Sequence, residues 1–157
     1  RDLPQGCSVI QGDVTKSIDE IAPKSFDLVT ALAILEHLDE PIELFRQAYN
    51  NLKPGGLLVA TCPSPFWDKI SGKLNLHEDE FHAFDFNQET FSRLAVEAGF
   101  EPLQYRKFMN APLGFAPYLN IPMNPAFSHL CDKIIGMFFI FNWIFVNQIF
   151  VARKIAK

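Results

Sequence analysis

Residues 25–61 read SFDLVTALAILEHLDEPIELFRQAYNNLKPGGLLVAT, and this stretch decides the fold. It contains two apolar runs, residues 26–33 and 57–61, separated by a segment whose apolar residues recur at helical spacing. Nearly continuous apolar runs of this length are typical of parallel strands that are covered on both faces. A strand, a helix and a strand with such short joints predict a right-handed βαβ unit.

The helix of this unit has its own boundary signals. We predict that Asp39 caps its first turn, where Pro41 is early enough to be tolerated. Lys53 is expected in the last turn, and Gly55-Gly56 are expected to end the helix by supplying positive φ. The face predicted to pack on the sheet consists of Ile42, Phe45, Ala48, Tyr49 and Leu52.

Before and after this unit the signals are weaker. Residues 7–11 form a short β-type run that stops at Gly12-Asp13, and a short helix is predicted over residues 16–21. Residues 63–86 are rich in aromatic residues and turn formers, which predicts an irregular lid. Loops of this length in a compact domain are usually functional or mobile.

The second half of the chain predicts two more helices and two more strands. Asn87 can cap a helix that stops at Gly99, and residues 100–107 follow as a strand. A helix over residues 126–139 leads to a terminal strand in NQIFVARK, residues 147–154. This terminal strand is expected to be antiparallel in a mostly parallel sheet, and the two late strands could form an antiparallel pair at the sheet's end. The predicted fold is therefore α/β, a Rossmann-like three-layer sandwich.

Length and charge limit the classes of function. The 157 residues, of which 48% are hydrophobic, fit a single domain over residues 1–157. A formal charge of −4 and a pI near 5.5 argue against binding nucleic acid through its phosphates and favour a small molecule or a protein as partner. Three widely spaced cysteines without a CxxC pair indicate a reducing, cytoplasmic setting.

The apolar C-terminal segment, residues 126–151, raises the question of a membrane. Residues 134–151, IIGMFFIFNWIFVNQIFV, approach the length of a membrane span. Gly136 and the amides of Asn142, Asn147 and Gln148 interrupt the run, and such amides are costly in hydrocarbon. A buried helix followed by a core strand is the favoured interpretation, and membrane association is the less favoured one.

Five short motifs in order carry a family resemblance: GDV, SFDLV, LEHLDEP, LKPGG and FNQETFSRLAVEAGF. Together they resemble the class I S-adenosylmethionine-dependent methyltransferases, and most of all the small-molecule group that includes the ubiquinone-biosynthesis enzymes. The resemblance covers about residues 8–108 and the final strand. It implies S-adenosyl-L-methionine as cofactor and in-line transfer of its methyl group to a small, apolar acceptor.

The resemblance also implies which residues bind the cofactor. The Asp13 carboxylate would accept from the adenine amino group, and the Val14 N–H would meet a ring nitrogen. Ala31 and Leu32 end a strand, and the backbone at Leu32 would lie beside the methionine part. Ligands collect at the carboxyl ends of strands in open α/β sheets, which agrees with these positions. The simpler alternative is that Asp13 only caps a turn.

Catalytic and acceptor candidates are fewer. His37 could act as a general base, but the favoured interpretation is that it orients the loop, since methyl transfer depends mostly on alignment. In the lid, Phe66, Trp67, Phe81 and His82 are candidates for the acceptor pocket. The acidic stretch of residues 77–85 matches no zinc pattern, so no metal is predicted.

The chain departs from the family in two respects. The family's glycine-rich loop and the acidic residue that closes its second strand are both absent, and no G-x-G occurs in the sequence. We therefore expect these residues to be the carboxyl-terminal two-thirds of a longer fold and to hold the cofactor poorly alone. The alternative function is an inactive, methyltransferase-like binding or scaffold module. A nicotinamide-dependent oxidoreductase shares the fold type but lacks a fingerprint here.

Overall fold

The computed structural model describes residues 4–73, 85–114, 116, 120, 122 and 124–155. The strands are β1 (Phe26–Leu32), β2 (Leu52–Pro63), β3 (Phe100–Asn110) and β4 (Phe145–Lys154). The helices are α1 (Pro41–Asn51), α2 (Pro65–Lys73), α3 (Gln88–Glu97), α4 (Ala111–Gly114) and α5 (Pro125–Gly136), and 3₁₀ turns span Leu35–His37 and Phe139–Ile144.

The described strands form one sheet in the order β1-β2-β4-β3. β1 and β2 are parallel, whereas β4 runs antiparallel to both of its neighbours, β2 and β3. Three strands therefore point the same way and only the terminal strand is reversed, which confirms the predicted sheet. As a result, β1, β2 and β3 all end at one edge of the sheet, where β4 begins. We call this the carboxyl edge.

One face of the sheet carries the core. Along β2 every second residue is buried, as in Leu58, Ala60 and Cys62, which is the period of a strand with one covered face. The Phe150 ring of β4 stacks on Phe91 of α3 with ring centroids 5.1 Å apart. α1 and α3 thus pack on the same buried face, and they hold the carboxyl edge in position.

The predicted first strand and first short helix are wrong. Residues 7–11 are exposed and belong to no ladder of the described sheet, and residues 16–21 form bends and a turn that the bond from the Ile21 N–H to the Ile18 carbonyl (2.9 Å) closes. A strand needs a neighbour for its backbone groups. The described sheet ends at β1, where Leu28 is 52% exposed, so β1 is not covered on both faces as predicted.

The boundaries of α1 also differ from prediction. Glu40 rather than Asp39 precedes the first residue, Pro41, and provides no side-chain cap. The helix ends at Asn51, and residues 53–56 form a bulge in β2 between its pairings with Phe26 and Leu28. The glycines are therefore not its stop signal.

A side chain from the far end of the chain closes α1 instead. Lys154 is buried, and its ammonium donates to the carbonyl oxygens of Tyr49 and Leu52 (2.8 Å to Leu52) while it sits 4.4 Å above the Tyr49 ring. A cation at a helix C-terminus satisfies free carbonyls and complements the helix dipole. Lys53, predicted in the last turn, pairs with Asp27 at 2.7 Å.

In the second half of the chain the predictions hold. The Asn87 side chain accepts from the Thr90 N–H (2.9 Å) and caps α3, and Gly99, with φ of +96°, ends it. β3, α5 and β4 lie where strands and a helix were predicted. The exception is the predicted irregular lid, which begins with the helix α2. Within the described part of the chain, every helix is too short or too polar to cross a bilayer.

Candidate functional site

The carboxyl end of β1 is shaped by a sharp turn at Ala33. This residue adopts φ of +48°, a region that a residue with a Cβ rarely occupies. Its N–H donates to the carbonyl oxygen (3.0 Å) and the hydroxyl (3.3 Å) of Thr61, which holds the turn against β2. Strained backbone held by its surroundings is frequent at ligand sites. The turn leaves Leu32 61% exposed at the edge, while Ala31 is buried.

The Glu36-His37 pair lies directly after this turn. His37 is exposed at the end of the 3₁₀ turn, whereas Glu36 is only 4% exposed. Burying a carboxyl group is costly, so its place at a strand end makes Glu36 a better candidate for a functional role than its neighbour. From the sequence, His37 was the general-base candidate of this pair, with loop orientation as its favoured role. Glu36 was given no role of its own, because its burial is not visible in a local pattern.

Asp13 and Val14 lie in a separate turn before β1. One Asp13 oxygen accepts from the Thr15 N–H (2.9 Å) and hydroxyl (2.6 Å), and the other is 3.1 Å from the Lys16 ammonium. Hydrogen bonds from Thr15, aided by Lys16, lower the pKa of Asp13 from 3.8 to about 2. The geometry therefore shows the turn-capping role, with an ionised carboxylate exposed to solvent.

An aromatic cluster, made of Phe66, Trp67 and Trp143, lies beside the carboxyl edge. The Trp67 indole N–H donates to the Trp143 carbonyl (2.6 Å), and their rings stack with centroids 6.5 Å apart. Phe66 meets both rings edge-on, at 5.5 and 6.3 Å. The position of the cluster follows from the fold, because α2 directly follows β2 and Trp143 directly precedes β4. The Ser64 N–H donates to the Val146 carbonyl (2.7 Å) and so joins the end of β2 to the start of β4.

The cluster changes the set of acceptor candidates. Phe66 and Trp67 are brought together as one surface, but Trp143 was missed because it lies in a segment interpreted only as core. Phe66 and Trp143 are 50% and 54% exposed, so the surface is accessible. Phe81 and His82 lie outside the described residues.

A buried amide fastens both ends of the lid. Gln148 is 1% exposed, and its side-chain N–H groups donate to the carbonyls of Pro63 and Phe86, both at 2.8 Å, with the Cys62 sulfur at 3.2 Å. Its oxygen accepts from the Tyr105 hydroxyl at 2.7 Å. Burial, and secondarily Cys62, raises the pKa of Tyr105. One side chain therefore fixes where residues 63–86 leave β2 and where they lead into α3.

The predicted acidic stretch lies mostly outside the described residues. Its last member, Asp85, forms an ion pair with Lys69 of α2 (2.7 Å). In the parts of the chain that the structure describes, no three potential metal ligands cluster.

Comparison with known proteins identifies a protein family that this chain matches. A family model described as a methyltransferase domain matches residues 4–105. A ubiquinone biosynthesis O-methyltransferase of Pseudomonas putida is 38% identical over 55 residues, which are 34% of this chain and 24% of that protein. The matched segment thus spans about a quarter of the curated relative's length.

Two solved structures show the same fold. A SAM-dependent methyltransferase from Archaeoglobus fulgidus superimposes with a TM-score of 0.64 at 19% identity, covering 95% of this chain and 68% of that one. A phosphoethanolamine N-methyltransferase 2 from Haemonchus contortus, in complex with S-adenosyl-L-methionine, gives 0.55 at 18% identity over 91% of this chain and 36% of that one. The sheet described above is thus a Rossmann-like methyltransferase fold.

Proposed function

Because this chain belongs to the family of methyltransferase domains, we propose that the protein transfers a methyl group from S-adenosyl-L-methionine to a small, apolar acceptor. The observation that carries the proposal is the family match over residues 4–105, which spans the Asp13 turn, the carboxyl ends of β1 and β2, and α3. The three free cysteines, one of them the buried Cys62, support a reducing, cytoplasmic location.

The Asp13 turn can accommodate the purine side of the cofactor. A carboxylate offers about four lone-pair positions, and three donors, two from Thr15 and one from Lys16, use them. One position remains for an exocyclic amino group. Among the described residues none accepts the Val14 N–H, so it is available to a ring nitrogen. Ala31 and Leu32 would hold the methionine side at the end of β1.

When bound, S-adenosylmethionine would supply a methyl group whose carbon a nucleophilic oxygen, nitrogen or carbon of the acceptor attacks in line, while the carbon–sulfur bond breaks and the sulfur leaves as a neutral thioether. The chain's task is then to align the acceptor and exclude water. The aromatic cluster of Phe66, Trp67 and Trp143 offers an apolar surface for the acceptor at the edge where ligands of α/β sheets collect. His37 and His82 remain the catalytic candidates, with loop orientation as the favoured role of His37 and acceptor contact as that of His82.

Calorimetric titration of S-adenosylmethionine into the full-length gene product tests this proposal. Asp13→Ala is expected to weaken binding by roughly 5- to 150-fold, the scale of losing the partner of a polar group that the bound cofactor would bury. Thr15→Ala removes the hydroxyl bond of the turn but keeps the backbone N–H bond and the carboxylate, so it should stay within a few-fold of the parent. Asp19→Ala, a second exposed carboxylate, controls for charge.

Two results would contradict the proposal. A full-length protein that does not bind S-adenosylmethionine at millimolar concentration would favour the inactive scaffold module. Unchanged affinity in Asp13→Ala would leave Asp13 with its turn-capping role alone.

A further inference from the structure

A pocket of about 520 Å³ lies at the edge of the sheet opposite the carboxyl edge. It is formed where α1 and β4 end, and the segment of residues 17–24 closes its other side. Its walls combine apolar side chains with side-chain amides, among them Ile18, Ile21 and Pro54 and the amides of Gln47, Asn50 and Asn51. We call it the lysine pocket, for the two cations described next.

The lysine pocket is positive although the chain is acidic. Lys24 and Lys154 line it, and among the residues that the structure describes no carboxylate does. Lys154 is 6% exposed and forms the inner wall, whereas Lys24 is exposed at the mouth. Asp19 and Glu20 belong to the same segment of chain, but they are exposed and lie outside the lining. In a chain with a formal charge of −4, this is a local excess of positive charge.

Backbone hydrogen bonds hold Lys24 beside the end of α1. Its N–H donates to the Asn50 carbonyl (3.0 Å), and the Ser25 N–H donates to the Asn51 carbonyl (2.9 Å). Lys24 adopts φ of +56°, a region that a residue with a Cβ rarely occupies and that persists only where its surroundings enforce it. The place of the Lys24 cation is therefore set by the fold.

The end of α1 would not repel an anion here. A helix C-terminus carries partial negative charge on its free carbonyl groups. At α1 these carbonyls are engaged, since Lys154 takes those of Tyr49 and Leu52 and the backbone of Lys24 takes that of Asn50. The positive charge of the lysine pocket therefore dominates.

The two lysines also act on each other. Burial lowers the pKa of Lys154, and the charge of Lys24 lowers it further. The carbonyl partners of Lys154 satisfy its hydrogen bonds but bring no opposite formal charge. An oxyanion between the two ammonium groups would replace their repulsion with two charge-assisted contacts.

We propose that the lysine pocket binds the phosphate group of a small molecule that also has an apolar body. Lys24 and Lys154 would bind the phosphate, and the apolar wall at Ile18 and Ile21 would contact the body. A phosphate monoester carries a charge of about −1.5 to −2 at pH 7, which matches two cations. A single carboxylate would leave one of the lysines uncompensated.

The lysine pocket is distinct from the proposed methyl-transfer site. It lies at the other edge of the sheet from Leu32 and Ala33, and S-adenosylmethionine contains no phosphate. A larger groove of about 960 Å³, between α5 and β3, does not meet the same conditions, because the Asp132 carboxylate lies among its lining residues.

An NMR titration of the isotope-labelled, full-length gene product tests the proposal. The probes are phenyl phosphate, inorganic phosphate and benzyl alcohol, which has the apolar body without the charge. Phenyl phosphate should bind at least about fivefold more tightly than inorganic phosphate, because its ring adds apolar contact. Benzyl alcohol should not bind measurably. The amide resonances of Lys24, Asn50 and Ile155 should move along one binding curve.

Two variants of the lysine pocket have matched controls. Lys24→Gln should weaken phenyl phosphate binding about tenfold, because it removes one cation and keeps the backbone N–H that bonds to α1. Asn50→Asp should abolish binding, because its carboxylate would pair with the lysines. Lys133→Gln and Gln104→Glu make the same changes at exposed positions outside the pocket and should bind like the parent protein. Far-ultraviolet circular dichroism verifies that each variant is folded.

Three results would overturn the proposal. The parent protein could fail to bind either phosphate at tens of millimolar concentration. Lys24→Gln could bind as tightly as Lys133→Gln, which would show that the contact is not in the lysine pocket. The shifts could instead appear at Leu32 and Ala33, which would place the anion at the carboxyl edge. Because cofactor binding is measured separately, failure here leaves the proposed methyl transfer unaffected.

Discussion

Replacing Gln148 by leucine tests the network that fastens the lid to the sheet. The substitution keeps a buried side chain of similar size but removes the amide that serves the Pro63 and Phe86 carbonyls and the Tyr105 hydroxyl. Each buried polar group left without a partner costs about 1–3 kcal/mol. Burying leucine in place of the amide offsets part of this cost. We expect the free energy of unfolding to fall by about 2–4 kcal/mol.

Urea unfolding, followed by circular dichroism, measures this loss. Gln104→Leu is the matched control, because it makes the same substitution at an exposed position on the neighbouring strand β3. It should change the free energy of unfolding by less than about 0.5 kcal/mol. Tyr105→Phe should cost about 1 kcal/mol in the parent protein and almost nothing in Gln148→Leu. If Gln148→Leu were as stable as Gln104→Leu, the reasoning about buried partners would be wrong.

The same network predicts a dependence on pH. Burial raises the pKa of Tyr105 above its ordinary value of 10.0, so the folded protein keeps this proton longer than the unfolded chain does. The contribution of the neutral hydroxyl is complete below pH 10 and is lost as the pH rises through the folded-state pKa. Tyr105→Phe should therefore lose less stability above pH 10 than the parent protein. Parallel slopes would contradict this assignment.

Three further predictions concern local contacts. Asp13 should titrate near pH 2 in carboxyl-detected NMR, and Thr15→Ala should move that midpoint up toward 3.8; a parent midpoint already at 3.8 would show that the turn bonds are absent. Lys154→Met should lower the free energy of unfolding by about 1–3 kcal/mol, because it leaves two carbonyls at the end of α1 without their donor, and an unchanged urea midpoint would contradict this. Asn87→Ala should cost about 1 kcal/mol in thermal unfolding, and no loss would mean that α3 does not depend on its cap.

Elements with local signals could be predicted from sequence. α3 has a capping side chain at one end, Asn87, and a glycine with positive φ at the other, Gly99, so residues beside the helix mark both of its ends. A side chain at Gly99 would approach the Tyr49 ring at 3.1 Å, so packing reinforces the local preference.

Elements that depend on distant partners could not be predicted. The end of α1 is set by Lys154, which lies about a hundred positions away in sequence, so the glycines after Lys53 were misinterpreted as the stop. Residues 7–11 have the composition of a strand but no neighbour in the described sheet. Their β-propensity alone therefore predicted a strand that does not form, because a strand also needs a partner to pair with.

The candidate site was predictable only in part for the same reason. The strand end at Leu32 follows from the chain order, whereas Asp13 lies in a turn that follows no described strand. Burial of Glu36 and the stacking of Trp143 on Trp67 arise from tertiary packing. Gln148 shows this most clearly. In sequence its amide interrupts an apolar run, and in the structure it is the centre of a buried network.

The central claim is that the carboxyl end of β1 and the Asp13 turn together bind S-adenosylmethionine. The most direct test is a chemical-shift map of the full-length, isotope-labelled protein titrated with S-adenosylhomocysteine. The account predicts that the amide resonances of Asp13, Val14, Leu32 and Ala33 move together along one binding curve. Shifts confined to the groove between α5 and β3, or none at saturating ligand, would contradict it.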